Sequence, residues 1–273
     1  MNVRTYDRAL TSSPRDLART AVPRPLHPRV QAVILAAGMG TRLGRALPKP
    51  LTLLGDGHTI LSRQLEGLRT AFDEDVLITA VVGYRGKRIM RAAPDLLFAY
   101  NPNYETTNTS KSLLRALRTS GTGGVLWLNG DVVFDPAVLK HLLAWVRADQ
   151  SFVCVDTSTV ADEEVKYTLD EDGYIRELSK TVVAGLGEAV GINYVSSADK
   201  AVLIEHLAAC EDQDYFERGI ETAIALDGLR FRPLDISAFW AVEVDFESDL
   251  ERANTLFWGS SSVLPLDAVA EVS

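Results

Sequence analysis

Cysteine is nearly absent from this 273-residue sequence, which contains only Cys154 and Cys210. The two stand too far apart for a CxxC pair, and Cys154 sits in the apolar run FVCVD. Both therefore read as packing residues, with no disulfide framework. Histidine is also scarce: the four residues His27, His58, His141 and His206 show no HExxH or Cys/His ligand spacing, which excludes the familiar zinc motifs. No run of 18 apolar residues occurs, so no helix is expected to span a membrane. The first residues lack the apolar stretch of a secretory signal, and the expected location is the cytoplasm. Positive charge is short as well. The net charge is −9, and the first 30 residues hold six Arg against two Asp, so the remainder carries −13. A body that acidic excludes a general nucleic-acid binder, which needs clustered Lys and Arg for phosphate contacts.

What is present is an alternation of short apolar runs with amphipathic stretches. The first 30 residues, rich in Arg, Pro and Ser, read as a flexible basic arm. From residue 31 the runs at 32–37, 76–84, 96–100, 124–131 and 152–156 read as buried strands, and 60–70 and 109–119 as helices. Asp135-Pro136 is expected to open a further helix, with Asp135 as its cap and Pro136 at its first position. This rhythm argues for an α/β fold with a mostly parallel sheet covered on both faces. The second half departs from it. Residues 165–179 form two short strands about a DEDG turn, a hairpin signature. A strand at 189–197, helices near 199–209 and 214–226, strands at 231–237 and 240–245, and a last helix at about 247–257 follow. One mixed α/β domain over 31–258, with a tail at 259–273, fits better than two independent domains.

The densest chemical signal is V33-I-L-A-A-G-M-G-T-R-L-G44, followed by L47-P-K-P-L51. A buried strand runs into a turn of two glycines and a small Thr, so backbone N–H groups can face phosphates without side-chain obstruction. Arg42 adds a permanently charged donor fork. Lys49, between two prolines, carries an ammonium on a restrained backbone. Together they read as a triphosphate cradle. It is neither a Rossmann fingerprint, which needs Gly where Leu43 stands, nor a Walker loop. Asp131, just past the apolar strand in L128-N-G-D-V-V133, is placed to hold Mg²⁺ beside a phosphate. In W240-A-V-E-V-D245 the alternation puts Glu243 and Asp245 on one side, with Asp245 at the strand end as a second Mg²⁺ ligand or, alternatively, a helix cap. The polar loop N101-P-N-Y-E-T-T-N-T-S-K-S-L113 feeds a helix, with Asn108 and Ser112 on the entry turn, able to read a base edge or simply to cap. Lys180 and Glu188 flank the region between hairpin and strand as second-substrate candidates or surface charges.

These stretches, LAAGMGTRL with LPKPL, the later NGD and the terminal VEVDFESDLERA, resemble the sugar-phosphate nucleotidyltransferase superfamily over roughly residues 31–257. Y104-E-T-T-N-T-S-K-S-L113 and the W-x-V-E-V-D ending resemble its CTP-dependent branch, which contains choline-phosphate cytidylyltransferases and those of phosphonate pathways. The resemblance implies a Rossmann-like three-layer α/β/α fold with a mixed, mostly parallel sheet and a small β-hairpin substrate subregion. It implies nucleotide binding by Leu35, Ala36, Ala37, Gly38, Met39, Gly40, Thr41, Arg42, Lys49, Gly83, Asn108 and Ser112, with Arg42, Lys49 and Asp131 catalytic. Mg²⁺ would sit on Asp131 and Asp245, and the acceptor near Lys180, Glu188 and Trp240. One departure is Asn129, where the branch often carries an acid.

The reaction implied is transfer of CMP from CTP to a phosphate or phosphonate oxygen, with release of pyrophosphate and no need for a histidine base. CTP and a small phosphorylated or phosphonate molecule are the expected partners, with no nucleic acid or membrane and with a homodimer as an option. The rival readings are uridylyl, thymidylyl or guanylyl transfer to a sugar 1-phosphate, a catalytically silent nucleotide-binding homologue, and an interaction protein that uses the basic arm. A choline-type acceptor would favour an aromatic cage, for which Tyr104, Tyr194, Tyr215, Phe216 and Trp240 are available.

Overall fold

A computed structural model describes residues 29–45, 47–73, 76–158, 160 and 163–261, without the side chains of Thr41 and 257–261. The basic arm up to residue 28 and the tail from 262 onward lie outside the described residues.

Strands β1 (Gln31–Ala36), β2 (Leu77–Val82), β3 (Leu97–Tyr100) and β4 (Val125–Asn129) form a parallel half-sheet in the order 3-2-1-4. Helices α1 (Ile60–Phe72), α2 (Gly86–Ala92) and α3 (Thr109–Thr119) make the crossovers. After β4 the chain forms β5 (Val132–Phe134), α4 (Ala137–Arg147) and β6 (Phe152–Asp156). The hairpin β7 (Lys166–Leu169) and β8 (Ile175–Ser179) leads into β9 (Glu188–Val195). Helices α5 (Lys200–Ala209) and α6 (Phe216–Asp227), strands β10 (Arg232–Asp235) and β11 (Ala241–Glu243), and α7 (Glu247–Ser261) complete the order. The main sheet continues β4-β9-β6-β10. β9 runs antiparallel to both neighbours, so the other six strands of that path all point one way.

Alternation along each strand builds the layers. Ala32, Ile34 and Ala36 of β1 face α1, α2 and α4, where Leu61, Leu65, Leu68, Ile89, Leu139 and Leu142 meet them. Val33 and Leu35 face α3, α5 and α6, against Leu113, Leu117, Leu203, Leu207, Phe216 and Ile220. Both faces are covered, as the continuous apolar runs require, and the architecture is the three-layer α/β/α arrangement that the resemblance implies.

Three local outcomes go beyond the sequence reading. The run expected as one strand at 124–131 breaks at Gly130, and β5 turns out of the main sheet to pair antiparallel with β11. A Cβ on Gly130 would meet the Leu35 carbonyl oxygen at 2.5 Å, so only glycine lets the chain turn this closely past β1. The short helix α2 follows Arg85, whose backbone is left-handed (φ 48°). The helix after Asp135 begins at Ala137, one residue later than expected, with Pro136 in the cap position, and Asp135 accepts from the Ala137 amide at 2.9 Å.

Candidate active site

The small β5–β11 sheet brings two distant acids together. Val133 and Val242 pair across it and are buried with Val244 and Leu250 under α7. The Val244 amide donates to the Asp131 carbonyl at 3.0 Å, which registers Asp131 beside Asp245 although they are far apart in sequence. Asp245 does not cap α7 with its carboxylate; Asp249 accepts from the amides of Asp245 and Phe246 at 3.1 and 2.8 Å, leaving the Asp245 oxygens to the cleft.

Lys49 lies on the short 3-10 turn Lys49–Leu51, after Pro48 in extended conformation, and is buried. Its Nζ donates to Asp131 Oδ2 at 2.8 Å and also to Asp245 Oδ1. Burial pulls the Lys49 pKa down, but the two carboxylates outweigh it and hold the ammonium above its ordinary value. Gly40 takes a left-handed conformation (φ 58°), and a Cβ there would press on Lys49 Cβ at 3.0 Å, so the glycine loop and the lysine turn are packed as one unit. Arg42 donates to Asp245 Oδ2 at 2.8 Å from the other side. Burial works to raise the Asp245 pKa, and Lys49 with Arg42 reverses it and holds the carboxyl low. Arg45, paired to Glu247 by two bonds of 2.7 and 2.8 Å, ties the loop to the start of α7.

These groups face a cleft of about 500 Å³, a volume suited to a small-molecule ligand. Leu35, Ala36, Gly38, Gly40, Arg42, Lys49, Asn108, Asp131, Lys180, Glu188 and Asp245 line it. Ala37, Met39, Gly83, Ser112 and Trp240 do not, and the side chain of Thr41 lies outside the described residues. Ala37 is buried and Met39 is partly exposed. Gly83 sits where a Cβ would strike Tyr104 and the Ala37 carbonyl. Ser112 is buried and accepts from Asn101 Nδ2 at 3.1 Å. The Trp240 carbonyl takes the Asp135 amide at 2.9 Å. Asn108 both caps α3, accepting from the Thr109 amide at 2.8 Å, and reaches the cleft, so its two readings are compatible. Of the five candidate cage aromatics only Tyr215 and Phe216 line the cleft; Tyr194 bonds Asp149 at 2.7 Å and stacks on Phe152.

Of the lining carboxylates that the sequence reading left without a ligand role, Glu243 and Glu217 stand out. Glu243 was visible on the Asp245 side of the alternation. One oxygen each of Asp131, Glu243 and Asp245 lie within 4.8 Å of one another. Burial, then the Asp131 carboxylate, pushes Glu243 up to about 8. Asp131 Oδ1 is buried without a hydrogen-bond partner among the described residues. Three hard oxygen donors with an orphaned lone pair and crowded negative charge fit a divalent cation such as Mg²⁺. Glu217, in the first turn of α6, carried no sequence signal beyond its place after two aromatics.

Among the described residues the lining holds nine carboxylates against four Lys and Arg side chains, so a triphosphate entering it needs added positive charge. Among the described residues, no histidine lines the cleft.

The MobA-like NTP transferase domain family matches residues 32–217. The CMP-5'-(3-aminopropyl)phosphonate synthase of Streptomyces rubellomurinus is 29% identical over 265 residues, 84% of this chain and 39% of that protein. The chain therefore spans about two fifths of that relative. The inositol-1-phosphate CTP transferase of T. maritima shares the fold at a TM-score of 0.69 and 16% identity, over 87% of this chain and 98% of that one. The CTP:phosphocholine cytidylyltransferase of Streptococcus pneumoniae does so at 0.67 and 17%, over 84% and 99%. With the glycine loop, Lys49 and the carboxylates gathered in one cleft of this fold, the chain belongs to the MobA-like NTP transferase domain family.

Proposed function

We propose that the chain transfers CMP from CTP to a phosphate or phosphonate oxygen of a small acceptor and releases pyrophosphate. The observation that carries this reading is the convergence of Lys49 on Asp131 and Asp245 beneath the glycine loop. The choice of CTP and of a phosphonate-type acceptor is supported by the Streptomyces relative, whose name specifies both a CMP product and an aminopropylphosphonate.

In the reaction, an acceptor oxygen forms a bond to the α-phosphorus as the bond to the pyrophosphate oxygen breaks, and pyrophosphate leaves with that electron pair. A phosphate monoester loses its second proton near pH ~6, so the nucleophile is already ionised and needs no base. The absence of a lining histidine among the described residues agrees with that. The protein's task is to position two anions and neutralise them. Lys49 and Arg42 would exchange their carboxylate partners for phosphate oxygens, and the amides of 38–42 would face the triphosphate. Asp131, Glu243 and Asp245 would hold Mg²⁺, which supplies charge neutralisation at the phosphates.

The test is thermal stabilisation by each nucleoside triphosphate with Mg²⁺. A ligand at ~100 times its Kd adds ~2.7 kcal/mol. CTP should raise Tm, and UTP, GTP, ATP and dTTP should raise it far less; a larger shift from one of the others overturns the cytidylyl assignment. Mg²⁺-dependent pyrophosphate release from CTP and 3-aminopropylphosphonate then checks the transfer.

A further inference from the structure

Glu217 is the second residue of α6, and its place is fixed by its neighbour. The Phe216 amide donates to Thr109 Oγ1 at 3.1 Å, and the Phe216 ring stands edge-on to the buried Trp127 at 5.5 Å. The turn before it is stitched to the entry of α3, where the Asn108 amide donates to the Asp212 carbonyl at 2.7 Å. Glu217 is thus held on the cleft wall by packing, and it lines the cleft although it is only 8% exposed. Its Oε2 is buried and has no hydrogen-bond partner among the described residues.

A buried carboxylate with an unused oxygen is costly, and proteins rarely retain one unless something else supplies the donor. The nearest candidate inside the protein does not. Lys180 lies over the Tyr215 ring at 5.2 Å and makes no ion pair or hydrogen bond with a described residue. The acceptor side of the cleft therefore offers, among the described residues, one cation without a carboxylate partner and one carboxylate oxygen without a donor. A ligand that carries both charges satisfies both. A neutral hydroxyl compound would give Glu217 a hydrogen bond but leave its charge uncompensated. A quaternary ammonium would compensate the charge but has no N–H to give. It would also lack a cage, because Phe216 is 1% exposed and the Tyr215 ring already carries Lys180. A primary ammonium supplies both charge and donors.

We propose that Glu217 is the specificity-determining carboxylate of the acceptor subsite and takes a primary ammonium borne by the phosphate or phosphonate acceptor. This rests on the nucleotidyl-transfer reading above. Burial also pushes the Glu217 carboxyl up to about 7, with its own backbone amide and then Lys180 pulling the other way, as expected of a site waiting for a cation.

The experiment measures pyrophosphate release from CTP and Mg²⁺ with the full chain and three acceptors: 3-aminopropylphosphonate, its uncharged isostere butylphosphonate, and the trimethylammonio analogue. The primary amine should exceed both others in kcat/KM by ~10²-fold, the scale of leaving one buried polar group without its partner. Glu217→Gln should shrink that ratio to below about tenfold, while KM for CTP stays within about twofold. Equal turnover of the three by the wild-type chain overturns the proposal without any variant, and so does a Glu217→Gln chain that keeps the full ratio. If another triphosphate replaces CTP, the cytidylyl reading fails alone, and the same ratio measured with that triphosphate still decides Glu217. If no triphosphate supports transfer, Tm shifts by the acceptors decide. A shift from the primary amine only, lost in Glu217→Gln, upholds the proposal; equal shifts or none overturn it.

Discussion

Removing the ammonium of Lys49 leaves the Asp131 and Asp245 carboxylates facing one another across a buried gap that Nζ now spans. Lys49→Ala should lower kcat by ~10²–10³, the scale of losing one preorganised charge-stabilising group; a loss under about threefold in pyrophosphate release overturns its role. Asp131→Asn should abolish Mg²⁺-dependent turnover and weaken Mn²⁺ binding to the protein alone, read by paramagnetic titration, with the fold intact by circular dichroism. Wild-type activity of that variant at millimolar Mg²⁺ would place the metal elsewhere. Glu217 makes a prediction about stability. Its pKa is raised from 4.5 to about 7, chiefly by burial, with its own backbone amide and then Lys180 opposing and Glu164 adding to it. The folded state therefore holds its proton more tightly, and folding is penalised progressively as pH rises from about 4.5 through about 7. The stability of Glu217→Gln relative to the wild type should rise by about 3 kcal/mol between pH 4.5 and pH 8.5, since each pKa unit is worth ~1.4 kcal/mol. An equal gain at both pH values, in urea melts, contradicts the burial account. At this scale the sequence disclosed Arg42, Lys49, Asp131 and Asp245, because each stands in a short motif whose spacing carries the chemistry. Glu217 was hidden because its meaning lies in what surrounds it in space. An acid in a first helical turn is ordinary in sequence and becomes unusual only once Phe216 and Trp127 bury it.

Among the elements, one clamp holds the approach to β4. Lys200, at the start of α5, is buried, and its Nζ donates to the Gly121 and Gly123 carbonyls and to Ser120 Oγ at 3.2 Å. Gln31 adds to it, accepting from the Gly121 amide at 2.5 Å. Lys200→Met keeps the stem but strands those acceptors, and should cost about 2–3 kcal/mol in urea unfolding, the range for hydrogen bonds to a charged group; a change below about 0.5 kcal/mol would show the clamp to be dispensable. Element existence was largely legible from apolar periodicity, and α3 and β6 came out with the expected bounds. Two features were not. The exit of β5 from the main sheet depends on the contact between Gly130 and the Leu35 carbonyl, a tertiary approach that leaves no periodic trace. The reversed direction of β9 is equally silent, because alternation reads the same from either end.

For the molecule as a whole, family and layer order were legible before any coordinates, the first from the motifs that carry the resemblance and the second from a strand–helix rhythm that is a property of the entire chain. Charge acts at this scale too: with an acidic body and an acid-rich cleft, affinity for triphosphate should depend on divalent cation more than on ionic strength. The antiparallel strand β9 also sets a timetable. β4 ends at Asn129 and β6 at Asp156, but neither acquires the neighbour that covers its edge until β9 is finished at Val195. At a synthesis rate of ~5–20 residues per second, the apolar edges VLWLN and FVCVD wait several seconds for their partner on every round of translation. A nascent chain of this kind has its most aggregation-prone moment in the middle of its own manufacture, and a chain released before residue 188 should be captured by chaperones or precipitate, while one that reaches Val195 has covered β4 and the inner edge of β6, leaving only the outer edge of β6 to β10.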